Sequence, residues 1–460
     1  MFGHLDDPAS VVPGDEELAE VLRRAGSLRR RTRLTTLAVA CLVIVGATAF
    51  VVARPSGERL RSTETGYQFN SLKGPLAVGT PVPTTSLMNV VFDNAQVGFA
   101  LAAHRGQALL AATSNGGRTW EVRNDQLPSD YGQNAGYPGQ FEFVGDNGYL
   151  WGGAPAANGA APLWVTNDAG ASWHKAAIEG SVVYDVSAIG PNVWALTSGC
   201  TPSEGAAGAG ATTTTTTTDP TCPLVLEQSV DGGASWAAVS ATGLQTLTDG
   251  PLAAQRVELA RITLSRAYVV VTVADEPAGG LAMLFTGDSG QTWVVRPVPC
   301  AGPFGLGDEM AASGTDDLWF LCGSQASGGS QSKELYRSSD AGSTWVLTAS
   351  ATGLGTPPPA NSAANTLPLG GYIAPFAVGH KNLAVLNPTT AWLYPTTASL
   401  LKTVSGGRSW TAVPDLVAAG FGTGAPGNVT FISATQGWIC AYGVGLWHTT
   451  DGVHWSPLGV

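Results

Sequence analysis

The sequence predicts an all-β fold, a seven-bladed β-propeller with four-stranded blades, preceded by one N-terminal transmembrane helix. Three observations predict it. A short hairpin motif ending in tryptophan recurs seven times between Thr113 and Trp455. An alternating apolar strand pair precedes every copy. A run of apolar residues near the N-terminus carries no charge.

The hairpins read TSNGGRTW (Thr113 to Trp120), TNDAGASW (Thr166 to Trp173), SVDGGASW (Ser229 to Trp236), TGDSGQTW (Thr286 to Trp293), SSDAGSTW (Ser338 to Trp345), TVSGGRSW (Thr403 to Trp410) and TTDGVHW (Thr449 to Trp455). Their spacing of roughly 45 to 65 residues is that of a repeat array in which each unit buries a face on the next. Asp168, Asp231, Asp288, Asp340 and Asp451 occupy the third position, with Asn115 and Ser405 in the first and sixth copies. A carboxylate there accepts hydrogen bonds from the turn's own N–H groups, and the following Gly takes the positive φ that other residues resist. Trp120, Trp173, Trp236, Trp293, Trp345, Trp410 and Trp455 then open the next strand and are expected to point inward. Full burial of each removes about 150 to 250 Å² from water, or ~4 to 6 kcal/mol gross per repeat.

The second pattern is an alternating apolar run, a polar turn and a strand carrying an aromatic residue. Its clearest instances are VVFDNAQVGFALAA (Val90 to Ala103), FEFVGDNGYLWGG (Phe141 to Gly153) and VTFISATQGWICAY (Val429 to Tyr442). With one strand entering the hairpin and one leaving after Trp, each repeat supplies four strands, the content of a propeller blade.

Here the chain resembles the Asp-box, or BNR, repeat family, whose S/T-x-D-x-G-x-T/S-W pattern the second to fifth copies match at each fixed position. The first and sixth depart at Asn115 and Ser405, and the seventh is one residue shorter. The pairing of an F-x-D…G-W-A strand with the hairpin looks most like the photosystem II stability and assembly factor, and sortilin-type receptors, sialidases and xyloglucan-degrading glycosidases share the repeat. The resemblance covers about Met88 to Val460 and implies a structural turn between third and fourth strands, remote from any active site. Fold alone does not settle chemistry.

Residues 34–53 read LTTLAVACLVIVGATAFVVA, twenty residues without a charge, which as a helix span ~30 Å, the thickness of a bilayer's hydrocarbon. Arg23, Arg24, Arg29, Arg30, Arg31 and Arg33 precede the run, and only Arg54, Arg59 and Arg61 follow closely. The positive-inside rule then places residues 1–33 in the cytoplasm and the propeller outside. A cleaved signal peptide with Ala47-Thr48-Ala49 as its cleavage site is the competing reading; the long charged segment before the run favours the anchor. Residues 54–87 read as a linker, and residues 88–460 as the propeller. The five cysteines beyond the span suit an oxidising outside, with Cys200–Cys222 and Cys300–Cys322 as possible pairs and Cys440 left as a buried thiol.

Composition restricts the function classes. A net charge of −11 and no basic stripe in the repeats argue against nucleic acid as the partner. The six histidines show no metal-ligand spacing, and no phosphate cradle or nucleophile elbow is present, so no cofactor is expected. All fourteen tryptophans have places in the blade pattern, leaving none as a sugar platform. The nearest string to a sialidase's Arg-Ile-Pro motif is Arg261-Ile262-Thr263. Paired acids for glycoside cleavage are sought at Asp146, Asp275-Glu276, Asp308-Glu309 and Asp316-Asp317; the second and third of these are expected in loops opposite the hairpins. Long loops on that face carry the binding candidates Asp130, Tyr131, Tyr137, Asp249, Tyr372 and Phe376, because variable loops on a rigid scaffold host recognition. The expected function is a membrane-anchored, non-enzymatic binding or assembly module for an envelope or membrane protein, touching the lipid bilayer through its helix. An extracytoplasmic glycosidase or carbohydrate-binding propeller is the alternative.

Overall fold

The computed structural model describes residues 76–459, apart from 105–106, 129–130, 132–138, 153–161, 181, 199–222, 245–254, 274–279, 301–306, 325–330, 352–366, 368–381, 396–399, 419–426 and 442. The expected membrane span lies outside them; among the described residues no helix is long and apolar enough to cross a membrane.

Among the described residues twenty-eight strands form seven four-stranded antiparallel sheets, each a simple meander. Blade 1 is β1 (Leu87–Phe92), β2 (Gly98–His104), β3 (Gln107–Thr113) and β4 (Glu121–Asn124); blade 2 is β5 (Gln140–Val144), β6 (Asn147–Trp151), β7 (Trp164–Thr166) and β8 (His174–Lys175). Blade 3 is β9 (Val182–Ile189), β10 (Asn192–Ser198), β11 (Val225–Ser229) and β12 (Ala237–Ala238); blade 4 is β13 (Gln255–Arg261), β14 (Ala267–Val273), β15 (Gly280–Thr286) and β16 (Val294–Arg296). Blade 5 is β17 (Gly307–Ala312), β18 (Leu318–Gly323), β19 (Lys333–Ser338) and β20 (Val346–Ala351). Blade 6 is β21 (Leu383–Val385), β22 (Ala391–Leu393), β23 (Leu401–Thr403) and β24 (Thr411–Ala412); blade 7 is β25 (Gly427–Phe431), β26 (Gly437–Ala441), β27 (Gly445–Thr449) and β28 (Ser456–Leu458). Each first strand contacts the first strand of the next blade, and β25 returns to β1, so the seven blades close a ring.

Each tryptophan hairpin joins a third to a fourth strand through a closed circuit of hydrogen bonds. In the second copy Thr166 Oγ1 donates to Asp168 Oδ1 at 2.7 Å, Ser172 N donates to the same oxygen at 2.9 Å, and Gly170 N donates to Thr166 Oγ1 at 3.0 Å. The Ser172 hydroxyl and its companions hold the Asp168 carboxyl down at about 2. Asn115 and Ser405 complete the same circuit in the divergent copies, accepting from Thr119 N at 3.0 Å and Ser409 N at 2.9 Å. The shorter seventh copy substitutes His454, whose N–H donates to Asp451 Oδ1 at 2.7 Å.

The hairpin glycine also packs between blades. A Cβ on Gly117 would lie 2.8 Å from Leu446 of blade 7, on Gly233 2.9 Å from Val165 of blade 2, and on Gly342 2.6 Å from Met283 of blade 4. Each turn is therefore a wedge against the third strand of the preceding blade, and positive φ and close approach together require glycine. The position before it is left-handed too, occupied by Ala169, Ser289 and Ala341 at φ 56°, 62° and 56°.

The hairpin tryptophans are not the principal anchors that the sequence suggests. Trp120, Trp293 and Trp455 are buried, but Trp173, Trp236, Trp345 and Trp410 are only half-buried. The deeper wedge is the aromatic residue of each second strand: Phe99, Tyr149, Trp194, Tyr268, Trp319, Trp392 and Trp438, all at most 3% exposed. The next blade's first strand lies over it. Trp438 stacks on Phe92 with centroids 3.7 Å apart, Phe99 on Phe143 at 3.8 Å and Trp392 on Phe431 at 3.6 Å, while Arg261 covers Trp194 at 4.2 Å. Second-strand tryptophans outrank the hairpin ones because their strand is flanked on both sides within its sheet, whereas a hairpin tryptophan opens the outermost strand.

The described chain joins the ring before residue 88. Val82 N donates to Trp120 O at 2.8 Å, Thr84 Oγ1 to Leu458 O at 3.2 Å, and Leu76 and Val82 share a core with Trp438. Residues 76–86 thus lie across the seam of blades 7 and 1, and belong to the propeller rather than to the expected linker. Cys300 and Cys322 form a disulfide with Cα atoms 5.6 Å apart. Cys200 and Cys222 lie outside the described residues. Cys440 is a buried thiol that burial pushes up to about 12.

Candidate functional site

A first strand is the inner edge of its sheet, so its outward N–H and C=O groups lack ladder partners and must find others. Seven such edges converge on the ring axis and enclose a cavity of about 790 Å³. How the edges are satisfied defines the site.

Registering the blades on the residue paired with the position before the second-strand aromatic aligns Phe92, Phe143, Ala188, Arg261, Ala312, Val385 and Phe431. Three residues upstream stand Asn89, Gln140, Asp185, Glu258, Glu309, Asn382 and Asn428. Every blade places an amide or a carboxylate there. All of them except Asn382 line the cavity.

Three of these side chains, Asp185, Glu309 and Asn428, clasp the edge of the following blade. Asp185 Oδ2 accepts from Leu259 N at 2.7 Å, while Oδ1 accepts from Val186 N at 2.9 Å. Glu309 accepts from Asn382 N at 2.8 Å, Asn382 Nδ2 at 3.1 Å and Leu383 N at 3.0 Å. Asn428 Nδ2 donates to Val90 O at 2.9 Å, closing the ring from blade 7 to blade 1. Glu142, two residues along β5 from Gln140, accepts weakly from Ala188 N at 3.4 Å. Burial, with a repulsive contribution from Glu258, raises the Glu309 carboxyl to about 7 against its N–H donors. Arg261, pushed down to about 10 by burial, donates to Asn192 O at 2.9 Å and to Leu264 O at 3.3 Å.

The acids sought from sequence fall in different places. Glu309 is not in a loop but in β17, with Asp308 beside it, because the first strand of blade 5 begins at Gly307. Asp316 pairs with Arg266 at 2.5 Å and Asp317 with Arg337 at 2.7 Å, which ties both to turn and strand neighbours. Asp146 lies in the first turn of blade 2, where its carbonyl accepts from Ala169 N. Asp275 and Glu276 lie outside the described residues. Arg261 sits at the end of a first strand, as its sequence pattern suggests.

Among the binding candidates, Tyr131 is 3% exposed and its hydroxyl donates to Gln140 O at 3.0 Å. It is a packing residue behind the cavity wall, not an exposed contact. Asp130, Tyr137, Asp249, Tyr372 and Phe376 lie outside the described residues. The polar ring is not among the sequence expectations, although its signal is in the sequence: the seven first strands, aligned on their turns, share one polar column.

No protein-family profile matches the chain, and no curated protein matches it in sequence. Solved structures are similar at low identity. YCF48 bound to D1 peptide is 17% identical, with 83% of this chain and 98% of that one covered, at a TM-score of 0.48. YCF48 from Cyanidioschyzon merolae is 16% identical over 81% and 98%, also at 0.48. The GH74 xyloglucanase from Xanthomonas campestris is 15% identical over 82% and 67%, at 0.35. One is a peptide-bound protein and one an enzyme, so they assign neither role to this chain.

Proposed function

We propose that the chain is a membrane-anchored, extracytoplasmic β-propeller of the Asp-box repeat type that binds or assembles an envelope or membrane protein without catalysing a reaction. The observation that carries this reading is the use made of the cavity acids. Asp185 and Glu309 spend both carboxylate oxygens on backbone N–H groups of the blade wall. A hydrolytic pair must instead present its oxygens to a scissile bond and a water. The hairpin circuits, the resemblance to assembly-factor and sortilin-like propellers, and the full assignment of the tryptophans to blades support the same reading. In it residues 1–33 are cytoplasmic, residues 34–53 cross the bilayer, and the Cys300–Cys322 disulfide suits an oxidising exterior.

The test is photocrosslinking of the full chain in its native membrane, with the purified protein run in parallel on a panel of polysaccharides. Discrete protein adducts and intact glycans are the expected result. Release of oligosaccharides from any panel member overturns the non-enzymatic reading in favour of a glycosidase.

A further inference from the structure

We propose that the hairpin of blade 7 is proton-sensitive: His454 fastens the turn, and with it the outer strand β28, more firmly in mildly acid than in alkaline solution. The device acts on the fold itself and is independent of the binding role proposed above.

The residue before the hairpin tryptophan is Thr119, Ser172, Ser235, Thr292, Thr344 and Ser409 in the first six copies, and His454 in the last. In the second to fifth copies that hydroxyl donates to the second carboxylate oxygen, as Ser172 Oγ does to Asp168 Oδ2 and Thr344 Oγ1 to Asp340 Oδ2, both at 2.6 Å. A hydroxyl keeps its proton at every physiological pH. Blade 7 drops one residue and closes the same circuit with an imidazole. His454 Nδ1 lies 2.7 Å from Asp451 Oδ2, while Val453 N and His454 N donate to Asp451 Oδ1 at 2.8 and 2.7 Å. The His454 side chain is 76% exposed, so solvent protons reach it freely.

The bond to Asp451 Oδ2 needs a proton on Nδ1. Imidazolium always carries one there and sets a full positive charge against the carboxylate; neutral imidazole has one proton for two nitrogens and brings no charge. An exposed ion pair by itself adds little. This one also completes the turn from which Trp455 and β28 start.

Among the described residues the charged groups that bear on the turn come from three elements. Asp451 belongs to the hairpin; Asp415, in the short helix Pro414–Ala418, accepts from Trp455 N at 3.0 Å; Lys402 of β23 donates to Gly452 O at 2.8 Å. The hydrogen bond and charge of Asp451 raise His454 above its ordinary value, and Asp415 adds to the rise. Asp451 is held well below the carboxylate range, first by the His454 side chain and then by the N–H groups of His454 and Val453. It therefore stays ionised while His454 titrates. Burial pushes Lys402 down against the pull of Asp451.

The sign is fixed by the direction of the shift. A histidine raised in the folded state contributes stability that is complete below its ordinary value of about 6.5 and is lost as pH climbs through the folded value. His448, the other histidine of blade 7, is lowered by burial and by Arg118, so its contribution is lost as pH falls. Residue-specific readouts separate the two.

The experiment labels the histidine rings isotopically in the full chain in detergent and follows each resonance from about pH 5 to about 9. His454→Ser, which restores the hydroxyl of the second copy, identifies the His454 signal. Hydrogen exchange, corrected for the intrinsic rate at each pH, compares the blade 7 hairpin and β28 with the hydroxyl-closed hairpin of blade 5 and β20. His454 is expected to titrate above the ordinary histidine value, and the blade 7 segment to lose protection relative to blade 5 as pH rises through that midpoint. His454→Ser should abolish the loss. Asp451→Asn, which gives blade 7 the side chain that Asn115 supplies in blade 1, should bring the His454 midpoint back toward the ordinary value; near-UV circular dichroism confirms that both variants keep the fold. If either misfolds, the exchange comparison in the unaltered chain decides alone. A His454 midpoint at or below the ordinary value, blade 7 protection that tracks blade 5 throughout, or a loss that survives His454→Ser overturns the proposal.

Discussion

Replacing Gly437 by alanine tests the ring-stack account most directly. Gly437 precedes Trp438 and pairs with Phe431 across the first turn of blade 7. A Cβ there would lie 2.5 Å from Phe431 Cδ1 and 2.8 Å from Cζ, against an ordinary carbon contact of about 3.5 to 4 Å. Phe431 has nowhere to retreat, since its other face is stacked 3.6 Å from Trp392 and its edge meets Trp455 at 5.8 Å. Over-packing of this kind costs about 1 to 3 kcal/mol, and a displaced aromatic pair adds ~0.5 to 1.5 kcal/mol. The sum is about 2 to 4 kcal/mol for Gly437→Ala, reduced slightly by the stiffer unfolded chain. Gly314→Ala is the control, because nothing lies within 4 Å of its added methyl; it should be neutral within ~0.5 kcal/mol. In a Phe431→Ala background the Gly437→Ala penalty should vanish, giving a coupling of about the full 2 to 4 kcal/mol. Urea denaturation followed by tryptophan fluorescence measures all four corners. If Gly437→Ala is as mild as Gly314→Ala, or if the two changes in blade 7 simply add, the reasoning is refuted.

Four further outcomes are expected. The Asp168 carboxyl, held at about 2 against ~3.9 unfolded, contributes stability that is complete above pH 4 and lost as pH falls through 2; Asp168→Ala should flatten that limb of an acid titration followed by near-UV circular dichroism. Glu309, raised to about 7, does the reverse: the folded state retains its proton longer, so stability should fall by a few kcal/mol as pH rises from 4.5 through 7. Glu309→Gln should remove that slope in melting curves. Opening the Cys300–Cys322 bridge, which spans 22 residues, by the double alanine variant should cost about 3 kcal/mol in urea. Trp438→Phe should cost about 1 kcal/mol more than Trp392→Phe, because Trp438 Nε1 donates to Gly116 O at 3.1 Å and Trp392 Nε1 has no acceptor among the described residues.

Blade number and strand count were legible because the signals lie within single hairpins: a hydroxyl, a carboxylate, glycine and tryptophan at set spacings make a turn by local hydrogen bonds alone. The F-x-D…G-W strings were visible too, but their meaning was not. Phe92 and Trp438 stand 346 positions apart, and only the closed ring brings their planes to 3.7 Å. The same holds for the polar column from Asn89 to Asn428. Each member looks like a solvated residue in an alternating strand, whereas Asp185, Glu309 and Asn428 have backbone partners one blade away. The local sequence therefore points to a loop for Glu309 and an exposed contact for Tyr131, while their burial is a property of the ring.

The ring bears on the binding role proposed above. All four strands of every blade are consecutive, so no strand is shared between blades 7 and 1 to lock the circle. Side chains and residues 76–86 close it instead, through Phe92 on Trp438, Asn428 on Val90 and Thr84 on Leu458. A seam held this way tolerates little distortion, so under the binding role proposed above a partner would dock onto a preformed surface rather than open the blades. Asp185 and Glu309 contribute in the same way at other blade junctions, as clasps on the backbone of the following blade.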